Sequence, residues 1–113
     1  MLKWFPNRLF GRAPPQRSTQ AQARLDGRLA KMTLYDSWLC PYCVTVRRAL
    51  RRLNIDISKR NVNQSPYGHE LLKGGGRCQV PCLRIEQEDG SVEWMYESTD
   101  IVRYLEELSG SYS

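Results

Sequence analysis

Cys40-Pro41-Tyr42-Cys43 places two thiols one helical turn apart, the spacing of a redox dithiol. The stretch follows a short apolar run, Met32-Thr33-Leu34-Tyr35, and opens a helix-like segment from Val44 to Leu53. At a strand-to-helix junction the first thiol meets unpaired helix N–H groups and the positive end of the helix dipole. Both favour the thiolate, which is the nucleophile of thiol chemistry. Pro41 suits the first helical turn, where its missing N–H is no loss. The second thiol lies within reach of any mixed disulfide formed on the first, so the pair can exchange disulfides in two steps.

The other chemistry-bearing residues point elsewhere or nowhere. Cys78 and Cys82 could join the first pair in a four-thiolate zinc site, but an extended Cys78-x-x-x-Cys82 segment would splay those thiols, and no metal is expected. Cys82 reads as a small apolar filler in a strand. Cys78, after Arg77 in a glycine-rich loop, reads as exposed. The single histidine, His69, reads as a solvated surface residue. There is no Ser/His/Asp arrangement, and Gly74-Gly75-Gly76 lacks the Lys-Ser/Thr of a phosphate loop, reading instead as a helix stop.

The elements that must position the dithiol alternate. Met32–Asp36 is expected as a strand. Residues 41–53 are expected as a helix with Val44, Val46, Ala49, Leu50 and Leu53 inward and Arg47, Arg48, Arg51 and Arg52 in solvent. Ile55–Val62 reads as a second strand, and Ser65-Pro66 starts a short helix through Leu72. Val80–Ile85 and Val92–Tyr96 read as a hairpin turning at Asp89-Gly90. Ser98 is expected to cap a last helix whose inward face is Ile101, Val102, Leu105 and Leu108. The order βαβ, α, ββα implies a parallel pair with a right-handed crossover and antiparallel strands added by the hairpin.

The 113-residue chain carries a net charge of +5, unevenly spread. Residues 1–31 hold seven Lys/Arg and one acid, Asp26, leaving ten basic and eleven acidic residues in 32–113. The folded part is thus nearly neutral, and no nucleic-acid partner is expected. Residues 1–31 read as a basic N-terminal arm, with a short helix through Ala30 capped by Ser18 or Thr19 and a face of Ala21, Leu25 and Leu29. In its first part Trp4, Phe5 and Phe10 mix with Lys3, Arg8 and Arg12, which leaves open a tail, an interfacial contact with a membrane surface, or an organellar transit segment. No continuous apolar run suits a secretory signal or a transmembrane helix, so a reducing, cytoplasmic setting is expected, with membrane association only through the arm.

Residues 32–109 resemble a dithiol glutaredoxin, and also the glutathione-transferase N-terminal domains that share its thioredoxin-like fold. Cys40-Pro41-Tyr42-Cys43 matches the dithiol glutaredoxin motif residue for residue, and Gln79-Val80-Pro81 stands where that family carries Thr-Val-Pro with a cis proline. Glu97-Ser98-Thr99-Asp100 opens the last helix where glutaredoxins carry Gly-Gly-x-Asp-Asp; it keeps the second Asp and otherwise looks more like the transferase Glu-Ser pair. The family's Lys, three residues before the first Cys, is replaced by Ser37, and Arg77 could supply some of that charge.

The resemblance implies an α/β, thioredoxin-like fold over 32–113: a four-stranded mixed sheet flanked by helices, with the N-terminal helical arm as an addition. It implies a thiol–disulfide oxidoreductase with glutathione as co-substrate and with disulfide-bonded or glutathionylated proteins as partners. Cys40 would be the nucleophile and Cys43 the resolving thiol, with Tyr42, Arg77, Val80, Pro81, Glu97, Ser98, Thr99 and Asp100 binding glutathione. Alternatives are a glutathione-binding, transferase-like module without exchange activity, and an iron–sulfur or zinc-binding relative. A thioredoxin-type protein is disfavoured, since Leu39-Cys40-Pro41-Tyr42-Cys43 departs from Trp-Cys-Gly-Pro-Cys.

Overall fold

The computed structural model describes residues 17–112. The readings made on residues 1–16, membrane contact and transit segment among them, lie outside the described residues.

Helix α1 spans Thr19–Leu29 and begins at Ser18, whose hydroxyl accepts the Ala21 N–H at 3.1 Å. Ala21, Leu25 and Leu29, at four-residue spacing, bury one face. Leu25 and Leu29 belong to the same apolar cluster as Leu34, Val46, Leu83 and Ile101, so α1 is part of the core. Arg17 fastens the start of α1 to the end of the next helix by donating to the Leu53 carbonyl at 2.9 Å.

Strand β1 (Met32–Asp36) leads into α2 (Pro41–Arg52), β2 (Ser58–Asn61), α3 (Tyr67–Gly75), the β3–β4 hairpin (Cys82–Glu86, Val92–Met95) and α4 (Ser98–Gly110). The sheet order is β2-β1-β3-β4, with β2 parallel to β1 and the other two pairs antiparallel. This is the expected four-stranded mixed sheet of a thioredoxin-like fold. One face, with Met32, Leu34, Leu83 and Ile85, packs on α1, α2 and α4, and each fully buried aliphatic side chain there contributes about 1.5–3 kcal/mol. The other face carries Tyr35 and Cys82 under Leu71 of α3.

Several boundaries differ from the sequence expectations. The second strand is shorter, because residues 55–57 bury Ile55 and Ile57 without ladder pairing. The third strand begins at Cys82 rather than Val80, since Pro81 has no N–H to give a ladder; the Val80-Pro81 bond is cis. The glycine run does not stop α3 where expected. The helix continues through Gly74 and Gly75, and only Gly76, at φ 95°, ends it in the left-handed region. A Cβ on Gly74 would overlap the Trp94 ring, and one on Gly75 the Tyr96 hydroxyl, so these glycines serve close helix–sheet packing. At α4 the cap position belongs to Glu97, and no side chain caps the helix; Ser98 is its first residue.

Candidate active site

The antiparallel pairing of β1 with β3 sets Tyr35 opposite Cys82. It therefore brings the end of β1, and the dithiol that follows, to the same edge as the Val80-Pro81 segment that precedes β3. Two stretches some 40 residues apart in sequence meet there. Cys40 sits at the N-cap of α2 with extended backbone (φ −81°, ψ 120°), Pro41 occupies the first helical turn, and the half-buried Cys40 thiol lies 3.9 Å from the Val80 carbonyl oxygen.

Cys43 faces inward and is 0% exposed. Its sulfur accepts the Ser37 N–H at 3.4 Å and adjoins the Cys40 side chain. Burial pushes its thiol up to about 12, the Ser37 N–H opposes this, and Cys40 and the Asp36 carboxylate add to the rise. The two thiols thus differ in kind: one at the surface on a helix N-terminus, one held protonated beneath it. Burial likewise pushes Cys82 up to about 12, with Tyr96 and Arg77 acting against it, while Cys78 is exposed, both as read from the sequence.

Arg47 lies beside the dithiol loop, a place the sequence does not reveal. Assigned to solvent, it instead reaches back along α2 to the loop before the nucleophile. It donates to the Asp36 carboxylate at 2.8 Å, the Trp38 carbonyl at 3.2 Å and the Ser37 carbonyl at 3.5 Å. Asp36 is 3% exposed, so this pair is largely withdrawn from water. Asn63 adds a bond to the Ser37 hydroxyl at 3.1 Å. The signal available in the sequence was an acid ending the first strand, eleven residues before an arginine on the following helix.

The residues expected to hold glutathione fall into two groups. Val80 meets Cys40 through its carbonyl, while Tyr42 follows in the first turn of α2 and is exposed, and Pro81, next to Val80, is buried. Arg77, Glu97 and Asp100 share a separate cleft of about 570 Å³ between β4 and α4, whose lining does not include the dithiol. There the Arg77 guanidinium stacks 4.3 Å from the Tyr96 ring centroid, and Asp100 pairs with Arg103 at 3.5 Å. Ser98 and Thr99 form the first turn of α4 beside it. Among the described residues no three His, Cys, Asp or Glu side chains converge as metal ligands, and no helix is long and apolar enough to cross a membrane.

A surface thiol on a helix start, a buried partner one turn on, and a β2-β1-β3-β4 sheet define a dithiol protein of the thioredoxin-like class. Residues 34–112 match the glutathione S-transferase N-terminal domain, and the chain belongs to that family. Among solved structures it is similar to glutaredoxin 2 of Salmonella typhimurium in complex with glutathione, at 30% identity and a TM-score of 0.58 over 72% of this chain and 35% of that one. It is similar to glutathione transferase Omega 3C of Trametes versicolor at 21% identity and a TM-score of 0.60, over 88% of this chain and 43% of the other. The holo form of glutaredoxin C1 from Populus tremula x tremuloides shares the fold at 17% identity and a TM-score of 0.55, over 83% of this chain and 99% of that one. The chain thus spans less than half the length of the first two. A comparison with curated proteins finds no match.

Proposed function

We propose that the protein is a glutathione-dependent thiol–disulfide oxidoreductase working through Cys40 and Cys43. The observation that carries this reading is the contrast between the two thiols, with Cys40 at the mouth of α2 and Cys43 buried beneath it. With a glutathionylated protein, the Cys40 thiolate attacks the glutathione sulfur, the protein leaves as a thiolate, and a Cys40–glutathione disulfide remains. A second glutathione thiolate then attacks that disulfide, releasing oxidised glutathione and the Cys40 thiolate. With a protein disulfide, Cys40 opens the bond and Cys43 resolves the mixed disulfide by losing its proton and attacking the Cys40 sulfur. The resulting Cys40–Cys43 disulfide is reduced by two glutathiones.

In this reading the Val80 backbone, beside Pro81 and next to the Cys40 sulfur, receives the cysteinyl part of glutathione, and Tyr42 flanks it. The start of α4, with Ser98, Thr99 and Asp100, offers N–H groups to the γ-glutamyl carboxylate, Glu97 or Asp100 meets its ammonium, and Arg77 meets a carboxylate. Trp38, Leu39 and Tyr42 are 73, 93 and 65% exposed around Cys40, an apolar rim suited to protein clients. Such exchange needs a reducing compartment, which the cytoplasm supplies, and no metal.

The test is glutathione-coupled reduction of a small mixed disulfide by wild type, Cys40→Ser and Cys43→Ser. Activity is expected to vanish in the first variant and persist in the second. Absence of turnover in reduced wild type, with glutathione still bound, would instead establish the transferase-like binding module, which the family match also accommodates.

A further inference from the structure

The sheet face under α3 is only half covered. Leu71 shields Tyr35 and Cys82, but the cross-strand row Thr33, Arg84 and Trp94 faces a cleft of about 440 Å³, bordered by Arg60, Glu70 and Lys73. None of the residues assigned above to the dithiol or to glutathione lines it.

The charges in this cleft do not balance. Glu70 is its one acid, and its carboxylate is already engaged by Arg60 at 2.7 Å and by the Tyr35 hydroxyl at 3.1 Å. Among the described residues neither Arg84 nor Lys73 is in an ion pair. Arg84 is the more telling of the two. It stands in a central strand with Thr33 and Trp94 as its register neighbours, a position that packing would give to a β-branched or aromatic residue. Its guanidinium lies 5.7 Å from the Trp94 ring centroid, which orients the group by stacking, and among the described residues no hydrogen bond takes up its N–H donors. Arg60 is steered the same way, 5.9 Å from the Tyr35 ring and 5.4 Å from that of Tyr67. Cations gathered in a concavity repel one another, and an anion placed among them removes that cost.

We infer that this cleft binds the phosphoryl group of a small phosphorylated molecule, with Arg84 and Lys73 supplying the unmatched charge and Arg60 and Thr33 further hydrogen-bond donors. A tetrahedral dianion can face several donors at once, whereas a single carboxylate is satisfied by one guanidinium fork. The volume is that of a small-ligand pocket, and Trp94 gives the organic part an apolar flank.

The test is an NMR titration of the full chain with inorganic phosphate and then pyrophosphate, following the Trp94 indole N–H and the Arg84 Nε–H. Sodium chloride of matched ionic strength is the control. Saturable shifts are expected at both groups, with pyrophosphate binding tighter than phosphate. Arg84→Gln and Lys73→Gln should each weaken pyrophosphate binding about tenfold, as loss of one charge-assisted contact implies. Glu70→Gln should tighten it. Dithiol exchange by the Arg84 and Lys73 variants should be unchanged, which also checks their fold. Should Arg84→Gln fail to fold, the exposed Lys73 decides. Equal shifts with chloride, absence of saturation, or pyrophosphate affinity indifferent to these substitutions would overturn the assignment.

Discussion

The Arg47 guanidinium lies 2.8 Å from the Asp36 carboxylate, tying the first turns of α2 to the end of β1 immediately behind the dithiol. The same guanidinium reaches the carbonyls of Ser37 and Trp38, so one side chain of α2 holds the first half of the loop that delivers Cys40. Because Ser37 also donates its N–H to the Cys43 sulfur, the loop's position and the environment of the buried thiol are coupled.

Arg47→Met is therefore expected to destabilise the protein by about 3 kcal/mol, since it leaves a buried carboxylate without its partner. The double variant Arg47→Met/Asp36→Asn should recover part of that loss. Urea denaturation of the single and double variants measures both. Equal stability of Arg47→Met and wild type would mean that the pair does not hold the loop.

Burial pushes the Cys43 thiol up to about 12, from an ordinary value of 9.0. In a Cys40→Ser variant, iodoacetamide should leave Cys43 nearly unmodified at about pH 8 while the chain is folded and alkylate it rapidly in urea. Mass spectrometry of tryptic peptides reads the difference, and rapid labelling of the folded variant would contradict the burial of this thiol.

The same shift, shared by Cys82, has a consequence for stability. A thiol whose pKa is raised on folding binds its proton more tightly in the native state. Its contribution is fully present below the unfolded value and is lost as pH rises from about 9 towards about 12. Cys82→Ala should thus flatten the alkaline fall of unfolding free energy relative to wild type, as followed by urea melts across that window. An unchanged slope would show that Cys82 ionises alike in both states.

Glycines provide a contrast within one chain. Gly75→Ala, and equally Gly74→Ala, should cost about 1–3 kcal/mol, because the added Cβ meets Tyr96 or Trp94 across the helix–sheet contact. Gly27 lies in α1 with open space around it, so Gly27→Ala should raise stability by about 0.5–1 kcal/mol. Thermal melts of the three variants separate glycine kept for fit from glycine merely tolerated.

Much of this was legible before folding. The bounds of β1, the inward residues of α2, the turn at Asp89-Gly90 and the buried Cys82 follow from local rules, because periodicity and turn chemistry act over a few residues. The errors cluster where distant segments touch. Gly74 and Gly75 read as a helix stop because the sequence does not display Trp94 and Tyr96 lying against them. Arg47 read as solvent-facing because three other arginines on α2 do face solvent, and only the return of the chain from Asp36 distinguishes it.

By itself, then, the sequence determined two thiols at a helix start and the order of strands and helices around them, while the proline-bearing segment that meets them was implied by the family resemblance. Tertiary structure alone decided which thiol is buried, which arginine holds the loop, and that Arg84 and Lys73 share a cleft with Trp94. The physical reason is range. Helix starts, turns and apolar periodicity are set by neighbours along the chain, whereas desolvation and charge pairing depend on which residues the fold places alongside.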